Sequence, residues 1–533
     1  MTGDRRFVAL VRLAWRQLRR STIGWAVLVA GSAASAVAGY KAAYPTPAAR
    51  QGLDVILGAN PGFRALYGVG HRLDTPGGFA AWRIGGPLVI FVGVWALLGV
   101  SRLLRGEEEN GQWEQLLALG ATMRTATIAS LVAFLAAAIV QWAVLTAAFL
   151  ATGLASGSSA FLALGIVGGG VVFGAVAAMT SQLTNTRRAA AGVAGMLLGV
   201  AFLARVAADA ASRTGWLRWL TPLGWVEELH AFAGSRLSPL PFVAAAIVTL
   251  MAGAVTLAAR RDLGQGLLAP GHRPRSRLRL LHSPEQAAWR AVWVGAVVWA
   301  TSLAAATLVF GLLSRDVADF YRESPGFTRL AARLGHLEFV KASGFLSLTF
   351  GFVAVAIAAY GATQVTAIRD EEATGRLEHV LARPISRPRW LRGRAVAVVA
   401  ATLLLAAAPA LGGWAGAALR GGGVRLSSML VGGFNCLPLA ALFFGVGLLL
   451  FGTVPRLAPG LTSGAIAAGF LLQLVGALAR APAWVLDLSP FHHLAAAPAA
   501  PVNALAATVM VALAVVFGAA GTRAFARRDL AGP

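Results

Sequence analysis

Charge is scarce in this chain: Asp, Glu, Lys and Arg make up 13% of its 533 residues, against 57% hydrophobic residues. That excludes a water-soluble protein of this length, because the polar side chains are too few to cover its surface. Cysteine is nearly absent, and the single Cys436 excludes an intrachain disulfide. Lysine occurs only as Lys41 and Lys341, neither in a Gly-x-x-x-x-Gly-Lys-Ser/Thr loop, so the chain has no phosphate-cradling ATP site of that type. A Gly-x-Ser-x-Gly elbow and a His-Glu-x-x-His zinc helix are also missing, which leaves no recognisable hydrolase centre.

What the chain has in quantity is long apolar runs. About 20 apolar residues cross the roughly 30 Å hydrocarbon core of a bilayer as a helix. Twelve such runs are found, six at about residues 23–42, 84–104, 126–151, 161–181, 189–208 and 240–259. Six more follow at about 291–313, 344–368, 395–418, 427–451, 459–478 and 499–521. The expected fold is an all-α polytopic membrane protein with about twelve transmembrane helices. None of these intervals contains Asp or Glu. An ion-coupled secondary transporter needs titratable groups at membrane depth, so that reading is the weaker alternative, alongside a non-transporting membrane scaffold. The neutral polar residues inside the runs, Gln141, Gln182, Gln364, Asn435 and Gln473, are expected to serve helix packing. His492 and His493 near Asp487 are too isolated to predict a metal site, and no metal or cofactor bound by this chain is expected.

The net charge of +24 comes from arginines clustered between apolar runs, a pattern of membrane orientation and not of nucleic-acid binding. Their distribution predicts that both termini face the cytoplasm. At the N-terminus Phe7, Leu10, Val11, Ala14 and Leu18 share one helical face, and Arg5, Arg12, Arg16 and Arg19 share the other. This predicts an interfacial amphipathic helix ahead of the first span, in preference to a cleaved signal peptide.

Landmarks of the first half return in order roughly 270 residues later. Ala14-Trp15-Arg16 matches Ala288-Trp289-Arg290. Arg105-Gly106-Glu107-Glu108 with Gly111 and Glu114 matches Arg369-Asp370-Glu371-Glu372 with Gly375 and Glu378. Arg188, Ala190 and Gly192 match Arg456, Ala458 and Gly460, and Thr221-Pro222-Leu223 matches Ser489-Pro490-Phe491. The sharpest match is Ala259-Arg260-Arg261-Asp262-Leu263 with Ala526-Arg527-Arg528-Asp529-Leu530. Six spans return a chain to its starting side, so the two halves form a parallel repeat. The expected division is a first six-span half at 1–259, a cytoplasmic linker and leading helix at 260–288, rich in Gly264, Gly266, Pro270, Gly271 and Pro274, and a second half at 289–533.

The candidate site is the pair of acidic segments after spans two and eight. Acidic residues open each predicted helix, where they favour the positive end of its dipole, and apolar residues follow: Trp113, Leu116 and Leu117, or Leu377, Val380 and Leu381. At 100° per residue Glu107, Gly111 and Glu114 share one face, as do Glu371, Gly375 and Glu378, a surface suited to docking a basic or hydrogen-bonding partner.

Glu371-Glu372-Ala373-Thr374-Gly375-Arg376-Leu377-Glu378, followed by Leu381 and Pro384-Ile385-Ser386-Arg387, resembles the cytoplasmic coupling segment of type-2 ATP-binding-cassette permeases. The fused, double-length layout resembles actinobacterial exporters of polyketides and other antibiotics. The resemblance implies a permease that exports a hydrophobic or amphipathic small molecule by alternating access across the bacterial cell membrane. ATP and Mg would bind to a separate cytoplasmic ATPase, in two copies, and not to this chain. Glu107, Glu108, Gly111, Glu114, Glu371, Glu372, Gly375 and Glu378 would couple to that ATPase. The resemblance further implies a path between two pseudo-symmetric bundles, lined from spans two, five, eight and eleven by residues such as Phe91, Trp95, Phe202, Phe352 and Phe470. The first half departs from the pattern, with Gly120-Ala121-Thr122 in place of Pro384-Ile385-Ser386.

Overall fold

The computed structural model describes residues 3–58, 63–64, 67–210, 212–268, 283–323, 342–478 and 482–530. Lys341 and the linker residues Pro270, Gly271 and Pro274 lie outside the described residues. Among the described residues there is no strand. The chain divides into two compact units, Met1–Pro274 and Arg275–Pro533.

The first unit contains α1 (Gly3–Ala43), α2 (Pro76–Ser101), α3 (Gln112–Ala118), α4 (Met123–Ala151), α5 (Ser156–Leu183), α6 (Arg187–Ala210), α7 (Pro222–Glu228) and α8 (Leu240–Ala258). The second contains α9 (Pro284–Glu323), α10 (Ala342–Ala373), α11 (Arg376–Leu381) and α12 (Arg387–Leu419). It continues with α13 (Leu426–Phe434), α14 (Leu437–Thr453), α15 (Ala458–Leu478) and α16 (Ala504–Arg527). Among the described residues 11 helical stretches are long and apolar enough to cross a membrane. They cover the predicted spans except that at 459–478, where α15 is helical but is not one of the 11. Large apolar side chains point outward from these helices, among them Ile139, Val294 and Val515. Lipid stabilises such a surface, and water does not.

Local chemistry sets the helix starts. The Thr75, Thr122 and Thr221 hydroxyls accept hydrogen bonds from the backbone N–H groups of Gly78, Thr125 and Gly224, and proline follows the cap at Pro76 and Pro222. Two predicted boundaries change. The amphipathic N-terminal segment is not a separate helix, because α1 runs unbroken for 41 residues. Its apolar positions Ala14 and Leu18 are buried and its arginines are exposed, as the sequence pattern required. The tenth span is interrupted at Asn435-Cys436, where Pro438 enters the first turn of α14 and the Asn435 amide donates to the Ala495 carbonyl at 2.9 Å.

Each unit repeats one packing plan. In the first, α1 packs on α4, α2 on α5, and α5 on α8. In the second, the equivalent pairs are α9 with α12, α10 with α14, and α14 with α16. The seams differ in chemistry. Between α1 and α4 the buried Gln141 amide donates to the Thr22 carbonyl at 3.2 Å. Between α9 and α12 the backbones touch, since a Cβ at Gly412 or Gly416 would fall on the Ala304 or Leu308 carbonyl oxygen.

Candidate functional site

The two acidic segments fold alike from the residue level upward. After α2 the chain makes a wide helical turn over Arg102–Gly106 and a short helix over Glu107–Glu109. Gly111, with φ +73°, stops it and begins α3. In the second unit α10 extends through Glu371 and Glu372 to Ala373, and Gly375, with φ +70°, begins α11. Left-handed backbone is open to glycine and costly for other residues, which explains the glycine in each segment. The redirection also corrects the single acidic face expected from the sequence. Glu107 and Glu114 belong to helices on opposite sides of a sharp turn, as do Glu371 and Glu378. Trp113 and Leu377, each two residues past its glycine, are buried and seat the new helix on the bundle.

The carboxylates divide into anchors and free groups. Glu108 is buried and accepts hydrogen bonds from Arg261 Nη1 and Nη2, both at 2.6 Å, and from the Gly264 N–H at 2.7 Å. Arg105 Nη1 adds a contact at 2.8 Å, and Arg261 Nε donates to Gln182 at 2.7 Å. In the second unit Glu372 is buried and accepts from Arg528 Nη1 at 2.6 Å and Nη2 at 2.8 Å, with Arg369 at 3.9 Å in the place of Arg105. Arg261 and Arg528 are the central residues of the sharpest sequence match. Each returns from beyond the last helix of its half to clasp the acidic segment. The predicted linker therefore starts with residues built into the first unit, where Leu267 and Leu268 also bond the end of α5.

Glu107 is buried near Arg102 at 3.7 Å, and Glu371 contacts Arg394. Glu114 and Glu378 are exposed and lie on α3 and α11. Neither forms an ion pair among the described residues. The α3 helix also rests on α1, through Gln17 Nε2 to Gln112 Oε1 at 3.1 Å.

The residues proposed for a substrate path fall into different surroundings. Trp95 is 1% exposed and packs on Phe134, so it belongs to the core of the first unit and faces no opening there. Phe202 packs partly buried against the same core, and Phe91 is 38% exposed. Phe352 and Phe470 meet edge to face at 6.0 Å, and Phe352 is 64% exposed. His492 and His493 bond Gln473 and the Asp487 carbonyl, and no group of three or more His, Cys, Asp and Glu residues suited to a metal occurs among the described residues.

A second ionic cluster lies in the first unit; the sequence draws attention to Glu227, Glu228 and His230 but not to their partners Arg205, Asp209 and Arg218. Arg205 on α6 donates its Nε hydrogen to Asp209 Oδ2 at 3.0 Å, and the same nitrogen lies 2.6 Å from Glu227 Oε1 as an ion-pair contact. Arg218 contacts Asp209 at 2.6 Å and Glu228 at 3.4 Å. Burial, which disfavours charge, pushes the Glu227 carboxyl up to about 8. The Arg205 guanidinium opposes that shift and the Asp209 carboxylate adds to it. The His71 and His230 rings lie 4.1 Å apart, tilted by 44°, beside the cluster, and burial lowers both of their pKa values. Asp209 ends the fifth predicted span one residue past its expected limit, so an acidic group does stand at the end of a spanning helix.

The chain is 29% identical to the multidrug efflux system permease protein Rv1217c of Mycobacterium tuberculosis (strain ATCC 25618 / H37Rv) over 531 residues, covering 98% of this chain and 95% of that protein. Residues 281–526 match the family described as the C-terminal domain of the multidrug efflux system permease Rv1217c.

Proposed function

We propose that this multi-pass membrane protein is the permease subunit of an ATP-driven multidrug exporter, energised by a separate cytoplasmic ATP-binding-cassette ATPase. The observation that carries the reading is the twofold coupling segment. Each copy is held to its bundle by a buried Glu–Arg clasp and presents on its second helix an exposed glutamate, Glu114 or Glu378, without an ion-pair partner among the described residues. A free charge on an anchored helix suits docking of a partner that carries the complementary charge. The full-length similarity to a multidrug efflux permease supports the same reading. In it, two ATPase copies dock on α3 and α11 and carry ATP and Mg themselves. Both termini are cytoplasmic, and the cargo is a hydrophobic or amphipathic small molecule such as an antibiotic. No group in this chain performs hydrolysis.

The test is Glu378→Ala and Glu114→Ala in the permease reconstituted with its ATPase. Loss of a docked charge costs about 2–5 kcal/mol when its partner is left unpaired. ATP-driven transport should fall by tenfold or more while permease abundance stays constant. The Glu378 variant should lose more, because its segment keeps Pro384 and the basic Arg383, Arg387 and Arg389. Wild-type transport by both variants and by the double variant would remove these glutamates from the mechanism. A second reading, cation-coupled transport, draws on the buried contacts of Arg205 with Asp209 and Glu227 and on the raised Glu227 carboxyl. It predicts uptake into vesicles driven by a proton gradient without ATP.

A further inference from the structure

Between the N-terminal part of α1 and the end of α3 the first unit has a groove of about 1030 Å³. Arg5, Arg6, Arg12 and Arg16 line it with a single acidic residue, Asp4, and none of the four arginines forms an ion pair among the described residues. Its other walls are apolar, and Val8, Leu13 and Leu119 are 46%, 39% and 75% exposed. Four unneutralised guanidiniums beside open leucine side chains call for a ligand that is anionic at one end and hydrocarbon at the other. In the second unit Glu285, at the start of α9, pairs with Arg389 Nε at 3.2 Å.

The position of the groove selects the ligand. Because α1 is one helix from Gly3 to Ala43, Arg16 stands about 10 Å and Arg12 about 16 Å along its axis from Ile23, where the lipid-facing run begins. Ile23 and Val27 are 61% and 67% exposed, as lipid contact requires. With the reach of an arginine side chain, about 7 Å, the Arg16 guanidinium meets the headgroup layer, and Arg12 stands just beyond it.

We propose that the membrane-facing end of this groove binds an anionic phospholipid, its phosphate held by Arg12 and Arg16 within the added positive field of Arg5 and Arg6, and an acyl chain laid over Leu13 toward the bilayer. The site would make the seating of α3 depend on membrane composition. It requires only that α1 spans the bilayer, and stands apart from the ATPase reading.

The experiment compares the full-length permease in nanodiscs of phosphatidylcholine alone and of phosphatidylcholine with phosphatidylglycerol, measuring bound lipid by native mass spectrometry. The variants are Arg5, Arg6, Arg12 and Arg16 all changed to Gln, or all changed to Lys. Each basic residue near an anionic surface strengthens attraction about fivefold. Wild type and the Lys variant should therefore retain phosphatidylglycerol over phosphatidylcholine by tenfold or more, and the Gln variant should lose that preference. Equal retention by the Gln variant, or equal loss by the Lys variant, overturns the proposal. Saturation by glycerol 3-phosphate or inorganic phosphate as tight as by the lipid overturns it in favour of a free-anion site. Unchanged lipid retention with lost binding of the ATPase to the Gln variant overturns it in favour of a protein-docking surface.

Discussion

Glu108→Ala separates an anchor from a docking residue. The Glu108 side chain is 1% exposed and is contacted by two arginines that are themselves buried, Arg105 at 0% and Arg261 at 1% exposure. Its loss leaves both guanidiniums without their carboxylate. Arg105 keeps a hydrogen bond to the Thr184 carbonyl and Arg261 keeps Gln182, so hydrogen bonding is partly preserved while charge is not. Removing one member of a buried ion pair costs about 3–5 kcal/mol. At about 2–4 °C per kcal/mol for a unit of this size, the unfolding midpoint should drop by on the order of 10 °C. Glu114→Ala, on the exposed face of α3, should stay within about 0.5 kcal/mol. Thermal unfolding of purified permease in one detergent, with abundance in the membrane as a second readout, compares the two. Glu108→Ala together with Arg261→Ala should recover part of the loss, because no lone charge then remains at that pair. A Glu108→Ala protein with the wild-type midpoint would refute the clasp as a structural device. An equal drop for Glu114→Ala would refute the division into anchors and free groups.

Gly375→Ala and Gly111→Ala should each cost about 1–2 kcal/mol, since both positions are left-handed and an added Cβ meets no other atom, so the backbone alone is penalised. An unchanged unfolding midpoint for both would contradict this. The raised Glu227 pKa means that the folded chain holds a proton the unfolded chain releases. This stability is fully present below about 4.5 and is lost as pH rises through about 8. Midpoints measured between pH 5 and 8 should decline more steeply in wild type than in Glu227→Gln, and parallel curves would count against a raised Glu227 carboxyl. Gly412→Val should push α9 and α12 apart and destabilise the second unit by 1–3 kcal/mol or more, read as lost abundance. A wild-type level would mean that the seam can open without penalty.

The spans were legible because about 20 apolar residues in a row leave few alternatives, and α2, α4, α5 and α8 lie where composition put them. The continuity of α1 was legible in principle, since neither Gly nor Pro separates Phe7 from Ile23. The acidic segments were found by repetition, but their internal division was not visible. Neighbouring glutamates on a helix differ by about 100° in direction, so Glu107, Glu108 and Glu109 have to be assigned by what surrounds them. For Glu108 that surrounding is an arginine 153 residues later, and for Glu372 it is one 156 residues later. The sequence contained the clue in the Arg-Arg-Asp-Leu repeat after each half, which reads as a flanking charge cluster until its buried partner is known. The Arg205 cluster was harder, because Asp209 fell one residue outside an apolar run and Glu227 in what reads as a loop. A chain with so few charges rarely buries one without a partner, since an unpaired ion in a low-dielectric interior costs several kcal/mol. Each matched arginine therefore requires a carboxylate in its own half, and the fold supplies Glu108 for Arg261 and Glu372 for Arg528.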